Sequence, residues 1–194
     1  MSWLMLKDVE NFIEDPVLAY FIIIIFGAIV SIILGSLVFI DSKDILWIYN
    51  SSPRGAKDLV FSYLIMVFIL NIIISTILTT FLMVVIQTGL IFGLYFYTLN
   101  ITFNQLMLCQ TIAIQCFNPS FDTKSKSMQT NTLLSMGLMQ ISLISIVCAI
   151  FTSIYLDIPL ESLISYFVGA LLLINIAISG LLLKYGLKKL SKIE

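Results

Sequence analysis

The sequence predicts an all-α fold, a polytopic transmembrane helix bundle of about five crossings and at most six, with its N-terminus outside and its C-terminus inside. Three observations carry this reading. Of 194 residues, 60% are apolar and only 11% are charged, where soluble domains approach a quarter charged. The apolar residues gather into runs long enough to cross a bilayer, and the mean hydropathy is +1.09. The basic residues, finally, fall almost entirely in segments that one topology places on a single side.

A hydrocarbon core of ~30 Å needs about 20 apolar residues as helix. Val17 to Ile40, Thr132 to Leu156 and Ser162 to Gly186 each satisfy this once, the last with Lys184 in its closing turn. The first run follows an acidic start and further runs follow it, unlike a signal peptide. Within the lead at 1–16, Trp3, Leu6, Phe12 and Ile13 share a helical face with acids elsewhere, the pattern of a short interfacial helix. All four prolines, Pro16, Pro53, Pro119 and Pro159, stand at the edges of runs, where the missing backbone donor costs least.

Leu59 to Phe117 holds no charged residue in 59 positions, enough for two long crossings or three cramped ones. Charge decides between them, because Lys and Arg in short loops stay in the cytoplasm. With 41–58, 118–131 and the tail from Lys184 inside, nine of the ten basic residues are cytoplasmic and Lys7 alone is outside. Three crossings would move Lys124, Lys126 and the C-terminal lysines out. Two crossings are therefore expected, near 59–86 and 92–117. Their turn falls within QTGLIFGLYFYTLNITFN, and its most polar part, YTLNITFN, is the outer turn if the earlier crossing runs longer or breaks. The whole chain, 1–194, reads as a single transmembrane domain.

Several function classes fall away. A net charge of -1 with thinly spread basic residues offers no phosphate-binding stripe, so no nucleic-acid partner is expected. The chain has no His, and Cys109, Cys116 and Cys148 show no metal-ligand spacing, so no metal site is expected. Catalysis or proton relay at bilayer depth needs ionisable groups there, and the helices carry none away from their ends. Ser75, Thr76 and Tyr95 have no base to activate them, so the chain is not expected to be an enzyme. Its intramembrane polar residues, Ser31, Ser36, Asn71, Ser75, Thr76, Thr79, Thr80, Gln87, Gln110, Gln115, Gln140, Ser142, Asn175 and Ser179, read as interhelical hydrogen-bonding residues. A transporter without titrating groups must draw its energy from elsewhere. No G-x-x-x-x-G-K-[ST] occurs, so any ATPase would be a separate protein.

Two inside segments exceed what a plain connection needs. In 41–58, Trp47 and Tyr49 suit an aromatic belt, Ser51, Ser52, Pro53, Arg54 and Gly55 make a turn, and AKDLVFSY opens the next helix. In Cys116 to Asn131, Pro119 stops a helix, Phe121 offers an aromatic anchor, and Asp122, Lys124 and Lys126 are solvated. Each is also readable as a simple connector, the first lying on headgroups, the second a solvated turn.

DSKDILWIYNSSPRGAKDLV resembles the cytoplasmic loop of archaeal membrane permeases of the ABC-2 group of exporters, of the form D/E-K-D-x-L-W-I-Y-K-S-S-P-R-G. NPSFDTKSKS, with Asn131 further on, is similar to a later cytoplasmic motif of the same proteins. The two matches span about 35 residues. The resemblance implies a transmembrane permease subunit or half-subunit in the cell membrane. Its coupling helix, Trp47, Tyr49, Ser51, Ser52, Pro53, Arg54 and Gly55, would dock on a separate ABC-type ATPase, and Pro119, Phe121 and Asp122 would form a second contact or gate. It also implies that ATP is bound by that partner and no cofactor by this chain, and that the chain pairs with itself or with a second permease half among membrane lipids. Such permeases have six helices per half where this chain shows five, no crossing precedes Val17, and Asn50 stands where Lys is common. The chain then reads as half of a split transporter, a truncated reading frame or a paralogue that no longer transports. The alternative function is a non-transporting assembly or anchoring subunit that docks a cytoplasmic partner through the same loops.

Overall fold

The structure, a computed structural model, describes residues 16–40, 55–156 and 160–190, with side-chain environments for 19–40, 55, 57–144 and 169–190. The described residues form five α-helices and no strand: α1 (Pro16–Ser36), α2 (Gly55–Ile86), α3 (Leu90–Phe117), α4 (Lys126–Leu156) and α5 (Leu160–Leu190). Three of them, over Ala19–Ser36, Lys57–Ile86 and Gly169–Leu190, are long and apolar enough to cross a membrane. The chain is all-α, and these spans make it a membrane protein.

Local chemistry sets the helix ends. Pro16 opens α1, where its fixed φ suits the first helical position and the absent N–H is no loss. The run predicted to Ile40 leaves the α-helix at Ser36, and two successive turns close it, Leu37 N–H to the Leu34 carbonyl at 3.1 Å and Ile40 N–H to the Leu37 carbonyl at 3.0 Å. Between Leu59 and Phe117 there are two helices rather than three. They meet at Gln87–Gly89, where Gln87 adopts φ 54°, the left-handed conformation that terminates helices, and Gly89 caps α3 in an extended conformation. YTLNITFN is therefore not the outer turn: all eight of its residues lie inside α3.

At the other end of α3, Asn118 N–H still bonds the Ile114 carbonyl at 3.2 Å, and Pro119 ends the helix. Ser125 then caps α4, its Oγ accepting from Met128 N–H at 3.1 Å, so α4 begins six residues before the predicted Thr132. Four of the helices are 28 to 32 residues long. At ~1.5 Å per residue they are longer than a ~30 Å hydrocarbon core is thick.

The central element is α3, which packs most extensively on α5, then on α1 and α2. From Phe103 to Cys116 every residue of α3 is buried except Gln105 and Cys109, which are half-buried. One apolar cluster joins Val38 and Phe39 to Val60 and Leu64 of α2, Ile112 and Cys116 of α3, and Leu187 and Leu190 of α5. It gathers the end of α1, the start of α2 and the ends of α3 and α5. All six lysines whose side chains are described, Lys57, Lys124, Lys126, Lys184, Lys188 and Lys189, belong to this end of the bundle. A second cluster packs Ala28 and Ile32 against Phe103, Met107 and Met139.

Small residues allow the close approaches. Gly27, Ser31 and Gly35 recur every fourth position along α1, a stripe that lets helix backbones near one another. A methyl added at Gly35 would lie 3.0 Å from Thr111 Cβ, and one at Gly27 would collide with the Asn104 side chain. On α5, a methyl at Gly186 would lie 2.8 Å from the Ala113 carbonyl oxygen and 3.0 Å from Cys116 Cβ. Gly186, where the last run was expected to end, is thus an interior packing position of a helix that continues to Leu190.

Candidate functional site

The bundle is polar inside and apolar outside. Ile77 and Val84 of α2, Leu133 of α4 and Leu173 of α5 are all more than 60% exposed, a pattern that water penalises and lipid accepts. Buried within are Ser31, Asn71, Ser75, Asn100, Asn104, Gln110, Thr111, Gln115, Asn131, Ser135, Ser142, Asn175 and Ser179. The helical period produces this arrangement. Asn71, Ser75 and Thr79 stand four apart on α2, as do Asn100 and Asn104 on α3 and Asn175 and Ser179 on α5, so each helix turns one polar stripe inward.

The stripes join along α3 in three stations. Toward the Gln87–Gly89 turn, Asn104 Nδ2 donates to Asn100 Oδ1 at 2.7 Å and Asn100 Nδ2 to Ser75 Oγ at 3.1 Å. Nearby, Asn71 Nδ2 donates to Ser31 Oγ at 3.2 Å. In the middle, Gln110 Nε2 donates to Asn175 Oδ1 and to Ser179 Oγ, both at 3.1 Å. Near the lysine-rich end, Gln115 Oε1 accepts from Ser120 Oγ at 2.8 Å and from Asn131 Nδ2 at 3.0 Å. Asn131 Nδ2 also donates to the Asn118 carbonyl at 2.8 Å.

The last station organises the segment between α3 and α4. Gln115 belongs to α3, Asn131 to α4, and Asn118 and Ser120 to the connection, so one glutamine oxygen ties three pieces of chain together. Asp122 adds an internal turn, its Oδ1 accepting from Lys124 N–H at 3.0 Å. At the opposite end, Tyr20 shares a hydrogen bond with Thr88 at 2.9 Å and stacks on Phe96, which fixes α1 to the start of α3.

No family model, curated protein or solved structure matches this chain.

Of the predicted site residues, Trp47, Tyr49, Ser51, Ser52, Pro53 and Arg54 lie outside the described residues, as do the lead residues Trp3, Leu6, Phe12 and Ile13. Gly55 is the buried first residue of α2, so the helix begins one residue before the AKDLVFSY expected to open it, and 55–58 of the 41–58 segment are its first turn. The second loop, expected at 118–131, is shorter, because α4 begins at Lys126. Within it Pro119 is half-buried and Asp122 exposed. Phe121, expected to anchor a partner, packs against the chain's own cluster of Val38, Phe39, Val60 and Leu190. Asn118, Asp122, Thr123 and Lys124 are the exposed residues of the connection, and Phe121 itself is half-buried.

Of the polar residues read as interhelical, Thr76, Thr80, Gln87 and Gln140 are exposed, and the other ten are buried. Asn100, Asn104, Thr111, Ser120, Asn131 and Ser135 are also buried but were not singled out for this role. Their signal was available in the four-residue spacing of Asn100 and Asn104 and of Asn131 and Ser135, masked because the first pair sits in the segment considered as a turn.

Proposed function

We propose that the chain is the transmembrane permease subunit, or a half-subunit, of an ATP-driven exporter of the ABC-2 type. It crosses the cell membrane five times with its N-terminus outside, and a separate ATPase docks on loop 41–58. The observation that carries this reading is the Gln115–Asn131–Ser120 junction. It joins the connection at the lysine-rich end to the most buried helix of the bundle, so force applied at Asp122 or Lys124 passes into α3 rather than dissipating in a loose loop. The similarity of DSKDILWIYNSSPRGAKDLV to a coupling loop supports the same reading.

A core of hydroxyls and carboxamides suits the work. Neutral side-chain hydrogen bonds between membrane helices are worth about 0.6 kcal/mol on average, weak enough to exchange when helices shift. Buried ion pairs would resist such exchange, since parting one strands a charge at several kcal/mol. Energy for net transport then comes from nucleotide hydrolysis on the partner, and the uncharged interior suits a lipid-like or amphiphilic substrate.

The alternative is a non-transporting subunit that anchors a cytoplasmic partner. Phe121 favours it, because a ring committed to the chain's own core leaves a small polar surface suited to static docking. Co-reconstitution with a candidate ATPase separates the two. A permease stimulates ATP turnover, and Trp47→Ala or Arg54→Glu abolishes the stimulation. An anchor binds the partner and leaves its turnover unchanged.

A further inference from the structure

Gln110 is 2% exposed, in the C-terminal half of the central helix, and its Oε1 has no hydrogen-bond partner among the described residues. Its neighbours determine which way the carboxamide faces. Asn175 Nδ2 donates to the Leu171 carbonyl one turn earlier at 2.9 Å, which directs Asn175 Oδ1 at Gln110. Ser179 spends its proton on the Asn175 carbonyl at 2.7 Å and so meets Gln110 as an acceptor. Both neighbours demand a donor, so Gln110 presents Nε2 to them. A flipped amide would set oxygen against oxygen. Oε1 is thereby held away from α5 with an unused acceptor.

One further group converges here. Ser142 Oγ of α4 lies 3.3 Å from the Leu138 carbonyl and 3.4 Å from Asn175 Oδ1, the long end of the hydrogen-bond range. Its hydroxyl is weakly engaged and can still pair with another group. Helices α3, α4 and α5 thus meet at Asn175 Oδ1, which the Gln110 amide N–H and the Ser142 hydroxyl both approach, in a region with no acidic or basic side chain.

The other unpartnered buried oxygens differ. Asn104 lies close against Gly27, where an added methyl would collide with its carboxamide. Gln105 is half-buried at the margin of α3.

We propose that Gln110 binds a small neutral hydroxyl group, carried either by water or by an amphiphile, which donates to Gln110 Oε1. A metal cation is disfavoured. The oxygens of Asn175 and Ser179 that would ligate it already face the Gln110 N–H groups, and no carboxylate neutralises it. A buried carbonyl left unpaired is costly, and a hydroxyl donor recovers that cost. This assignment is independent of the exporter reading and holds equally for an anchoring subunit.

The test uses the full chain in phosphatidylcholine nanodiscs with isotope-labelled glutamine. Rotating-frame Overhauser contacts are recorded from the Gln110 side-chain amide, which is identified by its loss in Gln110→Met. If that variant does not fold, its contacts to Asn175 identify it instead. Native mass spectrometry of the same sample weighs any retained molecule. A contact to the water resonance with no added mass supports the water arm. A contact to a non-water hydroxyl with an added mass supports the amphiphile arm. Absence of both contacts overturns the proposal.

Discussion

Asn131 Nδ2 lies 3.0 Å from Gln115 Oε1 and 2.8 Å from the Asn118 carbonyl, so a side chain in the second turn of α4 closes the connection onto the end of α3. Asn131→Ala leaves Gln115 Oε1 with Ser120 as its remaining donor and frees the Asn118 carbonyl, at a cost of about 1 kcal/mol for each lost hydrogen bond. The expected outcome is a lower unfolding midpoint in detergent and faster amide exchange across 118–125. Asn131→Asp keeps the volume but removes the donor and adds a buried charge, and it is expected to be the more damaging of the two. Exchange rates equal to wild type in both variants would remove the basis for force transfer through this connection.

Glycines on one helix should respond oppositely. Gly186→Ala places a methyl 2.8 Å from the Ala113 carbonyl and must push α5 from α3, for a loss of about 1–3 kcal/mol typical of overpacking. Gly180, exposed on the same helix with open space around it, gains helix propensity when replaced by Ala and is expected to stabilise by about 0.5–1 kcal/mol. Thermal unfolding of the two variants checks the pair, and equal shifts would contradict the α3–α5 packing.

The Asn71–Ser31 bond at 3.2 Å is a fair sample of the polar core. A double-mutant cycle with Asn71→Ala and Ser31→Ala should return a coupling of about 0.6 kcal/mol and no more than about 1.7. A coupling well above that range would mean the interior is locked rather than exchangeable, against the permease reading.

Sidedness can be read by labelling. In a background free of Cys109, Cys116 and Cys148 and checked for folding, Thr123→Cys sits on the exposed connection of the lysine-rich end and Thr88→Cys in the α2–α3 turn. A membrane-impermeant maleimide applied to intact cells is expected to reach position 88 and to miss position 123 until the cells are opened. The reverse result would invert the bundle and take the docking role of 41–58 with it.

Two helices between Leu59 and Phe117 were expected because a third crossing would have set six lysines on the side opposite the other basic residues, and two helices are what the structure has. The position of the turn was not legible. YTLNITFN holds two asparagines and two threonines, and that cluster marks it as an exposed piece, yet Asn100 and Asn104 spend their carboxamides on Ser75 and on each other. In a membrane bundle a polar residue marks either a water-facing turn or a protein-facing stripe, and one sequence window does not separate them. Phe121 illustrates the same ambiguity at the surface: an aromatic ring in a charged loop serves a partner, its own core or both, and here one side of it packs on the core while the ring stays half-exposed.

Composition and charge placement by themselves determined that this chain is helical, that it belongs in a membrane, and about where its helices begin and end, because these follow from the local cost of exposing backbone and apolar surface. The tertiary structure decided which helix stands at the centre, that Gly186 packs rather than terminates, and that Gln115, Ser120 and Asn131 act as one unit. Those outcomes rest on contacts between residues far apart in the chain, whose energies exist only once the helices have met.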